Sequence, residues 1–220
     1  FYILGGGYEE RQGLGVERIR KYATAFGLGT KLGIDLPGER PGLVPGPETK
    51  KEREPENPIW RLGDTYNLSI GQGGLLVTPL QMVTAVGAIA NGGTLYRPYI
   101  LASSSVDHLG RYRVGISETL REDFLDKATI RHVVKGMRQA VTNGTARLLS
   151  KIPFAVAAKT GTAQVGERKR PHAWVIAFFP VEKPIIAAVV MVEHAGEGST
   201  VAVPIMHEIL MWYAMHRSNN

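Results

Sequence analysis

Cysteine is missing from all 220 residues, which rules out a disulfide framework, thiolate nucleophiles and cysteine-ligated zinc. Long apolar runs are missing too. No stretch reaches the ~18 to 20 residues that a membrane span needs, and the two best candidates are broken at Pro180-Val181-Glu182-Lys183-Pro184. The chain has no initiator methionine and no targeting pattern at FYILGGGYEE, so its start reads as a point inside a longer polypeptide. Excess charge is modest: 26 Lys and Arg against 20 Asp and Glu give +6, scattered and not striped with aromatics. That pattern does not suit nucleic acid. No solenoid-period repeat and no low-complexity tract is present.

What is present is 44% hydrophobic content, enough for one sizeable core. Ile19, Tyr22, Ala23 and Phe26 fall at helical spacing before Gly27 and Gly29, which predicts a first helix. Residues 30–58 are dense in Gly, Pro and charge and are expected to form an excursion loop. TPLQMVTAVGAIANGG predicts a helix with Thr78 as N-cap, Pro79 at its first position, Gln81 completing a capping box, and Asn91-Gly92-Gly93 as its stop. A second apolar stripe, Ile130, Val133, Val134, Met137 and Val141, predicts a helix from about Asp126 that ends at Asn143-Gly144. A last helix is expected after Pro204, with Ile205, Ile209, Trp212 and Tyr213 on its inner side. Three near-continuous apolar runs, FAVAAKTGTAQV, AWVIAFF and IIAAVVMVE, read as strands buried on both faces. The fold class expected is α+β, an antiparallel sheet sandwiched by helices.

Lys159 interrupts the first of these runs and is followed by Thr160-Gly161-Thr162. An ammonium, two hydroxyls and a backbone without a Cβ then share a few residues of strand. Gly161 lets a substrate backbone lie against the strand, the Thr162 N–H is placed to donate to a developing oxyanion, and Lys159 with the threonine hydroxyls can hold an anionic terminus. An inward lysine that protects an edge strand from aggregation is the competing reading.

Lys159-Thr160-Gly161-Thr162-Ala163-Gln164 resembles the KTG(T) motif on the active-site edge strand of penicillin-binding proteins and serine β-lactamases. YNLSIGQGGLLVTPLQMVTAVGAIANGG resembles the same proteins' GQG loop, TPLQ helix and ANGG stop. FGLGTKLGIDLPGE upstream, RPYI after the helix, and HAWVIAFFP after the KTG agree in order, so the resemblance covers the whole chain. GDTYNLSIGQG is most similar to the class B, elongation-type enzymes. The resemblance implies a peptidoglycan D,D-transpeptidase that cross-links stem peptides through a serine acyl-enzyme, is inhibited by β-lactam antibiotics, and works at the outer face of the bacterial cytoplasmic membrane without a cofactor or metal. It implies catalytic roles for Lys159 and Thr162 and substrate binding by Thr160, Gly161, Thr162 and Gln164. A β-lactam sensor or inactive paralogue shares the same motifs, and so does the transpeptidase half of a bifunctional class A enzyme.

The family's nucleophile lies in a Ser-x-x-Lys motif, and no serine here has lysine three residues on. Its second motif, Ser-x-Asn, is matched only by Ser218-Asn219-Asn220, on the wrong side of the KTG. A Phe-Tyr pair like Phe1-Tyr2 follows Ser-x-Asn in family members. Residues 1–220 are therefore expected to be the C-terminal portion of one transpeptidase domain, with the nucleophile and a membrane anchor in the N-terminal remainder of the same polypeptide. Two strands of that remainder are expected to pair beside Ile185 to Glu193, whose β-prone, uncharged run otherwise leaves an aggregation-prone edge.

Other residues invite readings that their context weakens. IGQGG is neither G-x-G-x-x-G nor a P-loop and reads as a structural turn. His207-Glu208 starts like a zincin motif, but Met211 stands where the second histidine belongs. His172 reads as a solvated strand end. Asn67-Leu68-Ser69 and Asn143-Gly144-Thr145 have the form of glycosylation sequons and read as turns in a bacterial chain.

Overall fold

A computed structural model describes residues 1–101, 105–106, 112–113, 117–166 and 169–217. Its helices are α1 (Tyr2–Gly6), α2 (Gly15–Ala25), α3 (Pro47–Arg53), α4 (Leu62–Ser69), α5 (Pro79–Ala90), α6 (Lys127–Thr142) and α7 (Val203–Arg217). Two short antiparallel ladders join β1 (Leu95–Tyr96) to β4 (Thr119–Arg121) and β2 (Ser105–Val106) to β3 (Tyr112–Arg113). The main sheet is β5 (Ala157–Ala163), β6 (His172–Phe179) and β7 (Ile186–Val192), antiparallel in that order. None of the helices among the described residues is long and apolar enough to cross a membrane. The Ser218-Asn219-Asn220 match lies outside the described residues.

Period-2 alternation sends the sheet's side chains into two separate cores. On one face Ala158, Ala173, Val175, Ala177 and Phe179 pack with Val203, Met206 and Leu210 of α7. On the other, Ala157 and Phe178 pack with Val86 of α5 and Met137 of α6. The neighbours Phe178 and Phe179 thus anchor opposite faces, each about 1% exposed. Such burial stabilises by about 1.5–3 kcal/mol per side chain. The sandwich of helices around an antiparallel sheet is the fold class expected. Along β7, however, every residue is only half-buried, unlike the fully buried strand expected.

The sequence signals for α5 operate as read. Thr78 Oγ1 accepts from the Gln81 N–H at 3.2 Å while Gln81 Oε1 accepts from the Thr78 N–H at 3.0 Å. Gln81 is fully buried, and its Nε2 also donates to the carbonyls of Gly27, Thr30 and Pro41. One side chain therefore starts the helix and ties residues 27–41 to it. The span 30–58, expected as an excursion loop, is held against the body in this way: Leu32, Val44 and Lys50 are buried, and the span contains α3. Pro47 at the first helical position after an extended Gly46 starts α3, a signal hidden by the surrounding charges.

The inner face of α7 differs from expectation. Val203, Met206, Leu210 and Ala214 are buried, whereas Ile205, Ile209 and Trp212 point outward and Tyr213 is partly buried against Phe179. The helix is apolar on both sides, so spacing alone allows either stripe to face the sheet. Small Ala173, Val175 and Ala177 on β6 accommodate Met206 and Leu210 in the same core.

Candidate active site

The alternation of β5 sorts the motif residues by direction. Lys159 pairs with Ile176, Gly161 with Trp174 and Ala163 with His172, so these side chains share the α5 and α6 face of the sheet. Thr160 and Thr162 point to the α7 face. There the Thr160 hydroxyl pairs with the Thr145 hydroxyl at 2.7 Å, and Thr162 Oγ1 accepts from the Gly198 N–H at 3.4 Å. Gly198 begins the π-helical turn Gly198–Ala202 and lies flat on the strands: a Cβ there would stand 2.4 Å from the Gly161 carbonyl and 2.3 Å from that of Trp174. The motif's two threonines are thus held from one side by Thr145 and Gly198.

β5 is an edge strand, and its outer side is defined by three contacts. Gln72 Nε2 donates to the Thr162 carbonyl at 3.0 Å, the Gln164 N–H donates to Gln72 Oε1 at 3.3 Å, and the Lys159 ammonium donates to the Thr160 carbonyl. In a strand the N–H and C=O of one residue point to the same side. The Thr162 N–H therefore faces outward, away from β6. Lys159 and Thr162 are both exposed, and among the described residues no carboxylate lies within 4 Å of the Lys159 ammonium.

A groove of about 300 Å³ runs along this edge. Lys159 to Ala163 and Gln72 form its polar side, and Leu28, Ile70, Val77, Met82, Trp174 and Ile176 its apolar side. No serine lines it among the described residues. The wall opposite β5 comes from the end of α4. The helix stops at Ile70, Gly71 adopts φ +76°, and the N–H groups of Gly71 and Gln72 turn back onto the Leu68 and Asn67 carbonyls at 3.0 and 2.9 Å. This is a Schellman cap, which needs a residue free of Cβ strain at Gly71. IGQGG is thus the structural turn expected, and it carries Gln72 to the strand edge, a placement that sequence reading missed. The only local signal for it was a glutamine between two positive-φ glycines, Gly71 and Gly73.

Of the residues singled out in the sequence, Lys159, Thr160, Gly161, Thr162 and Gln164 lie together on this edge, with Gln164 engaged through its backbone N–H. His172 starts β6 opposite Ala163, and its Nδ1 accepts from the His194 N–H at 3.0 Å. His207 lies on α7 next to Glu208, with Nδ1 3.1 Å from the carboxylate. The edge presents a cation, an outward N–H donor and an apolar wall, which suits an extended peptide with an anionic end and a carbonyl to be polarised.

The matching family model is the penicillin binding protein transpeptidase domain, over residues 7–211. Peptidoglycan D,D-transpeptidase MrdA of Acinetobacter baumannii is 30% identical over 222 residues, covering 93% of this chain and 32% of its own length. The chain thus spans about a third of that curated relative. Among solved structures, Pseudomonas aeruginosa PBP2 in complex with WCK 5153 superposes with a TM-score of 0.77 at 34% identity, covering 93% of this chain and 43% of that one. Penicillin-binding protein A of Mycobacterium tuberculosis, solved as an acyl-enzyme complex, does so with 0.70 at 25% identity, covering 91% and 43%. The helix-covered antiparallel sheet agrees with these matches, and the chain belongs to the penicillin-binding protein transpeptidase domain family.

Proposed function

We propose that this chain supplies the KTG half of a class B, elongation-type peptidoglycan D,D-transpeptidase at the outer face of the bacterial cytoplasmic membrane. The observation that carries the reading is the outward Thr162 N–H beside the Lys159 ammonium, which has no carboxylate partner among the described residues, on the edge of β5. The nucleophilic serine and its lysine come from the N-terminal remainder of the polypeptide, which also carries the membrane anchor and adds strands beside β7. The serine Oγ attacks the carbonyl between the two terminal D-alanines of a stem peptide and passes its proton to the adjacent lysine. The oxyanion is held by the Thr162 N–H. The C–N bond breaks, D-Ala leaves with the proton, and an ester joins the peptide to the serine. An amine from a neighbouring stem peptide then attacks the ester, and the serine leaves and regains a proton. Lys159 binds the terminal carboxylate. Thr160 acts through Thr145 to fix the strand, and Gly161 keeps that stretch of the edge clear. A β-lactam enters as a mimic of the D-Ala-D-Ala unit and stops at the ester.

Intact-mass measurement tests the reading. The full-length polypeptide treated with penicillin gains one covalent adduct, whereas residues 1–220 alone gain none. A stoichiometric adduct on residues 1–220 would place the nucleophile within this sequence and overturn the division of labour proposed.

A further inference from the structure

Along the outer side of β5 the polar groups follow in the order Thr160 C=O, Thr162 N–H, Thr162 C=O, Gln164 N–H. An N–H that sits between two carbonyls is a poor anion site, because both neighbouring dipoles repel the charge it is meant to hold. Here both carbonyls already carry a donor: the Lys159 ammonium on Thr160 and the Gln72 carboxamide on Thr162. Gln72 also accepts from the Gln164 N–H, just beyond Ala163, the last residue of β5. Only one orientation of its carboxamide satisfies both a carbonyl and an N–H, so the side chain fixes the peptide planes on either side of Ala163. Its backbone position is set by the Schellman turn at Gly71.

We propose that Gln72 is a positioning residue for the oxyanion donor: by covering the Thr162 carbonyl and closing the strand end at Gln164, it keeps the Thr162 N–H aimed outward in a donor-only environment. This rests on reading β5 as the acyl-transfer edge. Gln72 touches neither the scissile carbonyl nor the leaving group. Its effect falls on the step in which negative charge develops, and not on initial binding.

The test uses the full-length polypeptide and a fluorescent penicillin, with the acylation rate constant separated from the dissociation constant of the initial complex. Gln72→Ala lowers the rate constant by about tenfold or more and leaves the dissociation constant within about twofold. Gln72→Glu is slower still at neutral pH, since a carboxylate cannot donate to Thr162 and adds a charge of the wrong sign. As pH falls toward the ordinary glutamate value of about 4.3, the protonated acid regains one donor and one acceptor, and the Gln72→Glu rate recovers relative to wild type measured at the same pH. A purely structural role gives no such recovery. Gln72→Ala acylating at the wild-type rate overturns the proposal, as does equal loss in the two variants with no acid recovery. Lys159→Ala is the control: if it too acylates normally, the reading of β5 itself has failed, whereas slow Lys159→Ala beside normal Gln72→Ala sinks the Gln72 proposal alone.

Discussion

At the scale of single residues, Lys159 is an exposed cation whose one side-chain hydrogen bond among the described residues is to its neighbour's carbonyl. In the full-length polypeptide, Lys159→Ala removes both the partner of the substrate carboxylate and a donor flanking the Thr162 N–H. Acylation by penicillin is expected to slow by about a hundredfold or more, measured as the second-order rate constant, while Lys159→Arg keeps part of the activity. Equal rates for wild type and Lys159→Ala would return Lys159 to edge protection. The identity of these residues was legible in the sequence, because Lys-Thr-Gly-Thr sat among agreeing motifs. Their directions were not. Which of the threonines faces Thr145 or Gly198 depends on the register of β5 with β6, and a one-residue shift would exchange the two faces. Gln72 was invisible for another reason: its partners at Thr162 and Gln164 lie 90 and 92 residues away.

Among the elements, those whose ends carry their own chemistry could be read in advance. The Thr78 and Gln81 capping box begins α5, and Asp126 accepts from the Thr129 N–H at 2.8 Å to begin α6. α3 and α4 carry little apolar periodicity and are held by partners remote in sequence. Lys50 of α3 is 7% exposed and reaches Asp64 of α4 with Nζ 2.8 and 2.7 Å from the two carboxylate oxygens; Glu54 is 3.7 Å away. Burial opposes the charge on Asp64, but the Lys50 ammonium and the Arg61 N–H outweigh it, so the carboxyl titrates below the ordinary Asp value. A carboxyl depressed by folding contributes stability that is present above the unfolded value of about 3.9 and is lost as pH falls through the lower folded one. Melting of the full-length polypeptide is therefore expected to fall across that acidic window in wild type and to be flatter there in Asp64→Asn. At neutral pH the variant melts lower by about 1–2 °C, about 1 kcal/mol after allowing for the carboxylate's exposure and the size of the full-length polypeptide. Parallel pH profiles for the two proteins would remove the pair from the account.

Over the whole molecule, part of the surface left apolar lies where β7 and α7 meet. β7 ends the sheet, its residues are all half-buried, and Ile205, Ile209, Trp212 and Met215 line the outward side of α7. An uncharged strand edge beside such surface favours self-association. Residues 1–220 alone are expected to elute as oligomers or aggregates in light-scattering chromatography, and to become monodisperse when produced with the rest of the polypeptide. A monodisperse monomer of residues 1–220 that melts cooperatively would show that this side needs no further cover.

The carboxamide bridge from Gln72 to β5 also bears on the order in which the molecule comes together. Closing a loop of about 90 residues costs about 4 kcal/mol in chain entropy, whereas one such hydrogen bond returns about 1 kcal/mol. The bridge cannot draw its two ends together. It depends on the seating of α5 on β6 and β7, which holds the two regions together. The geometry of the groove accordingly registers how firmly the two regions that build it are seated on each other.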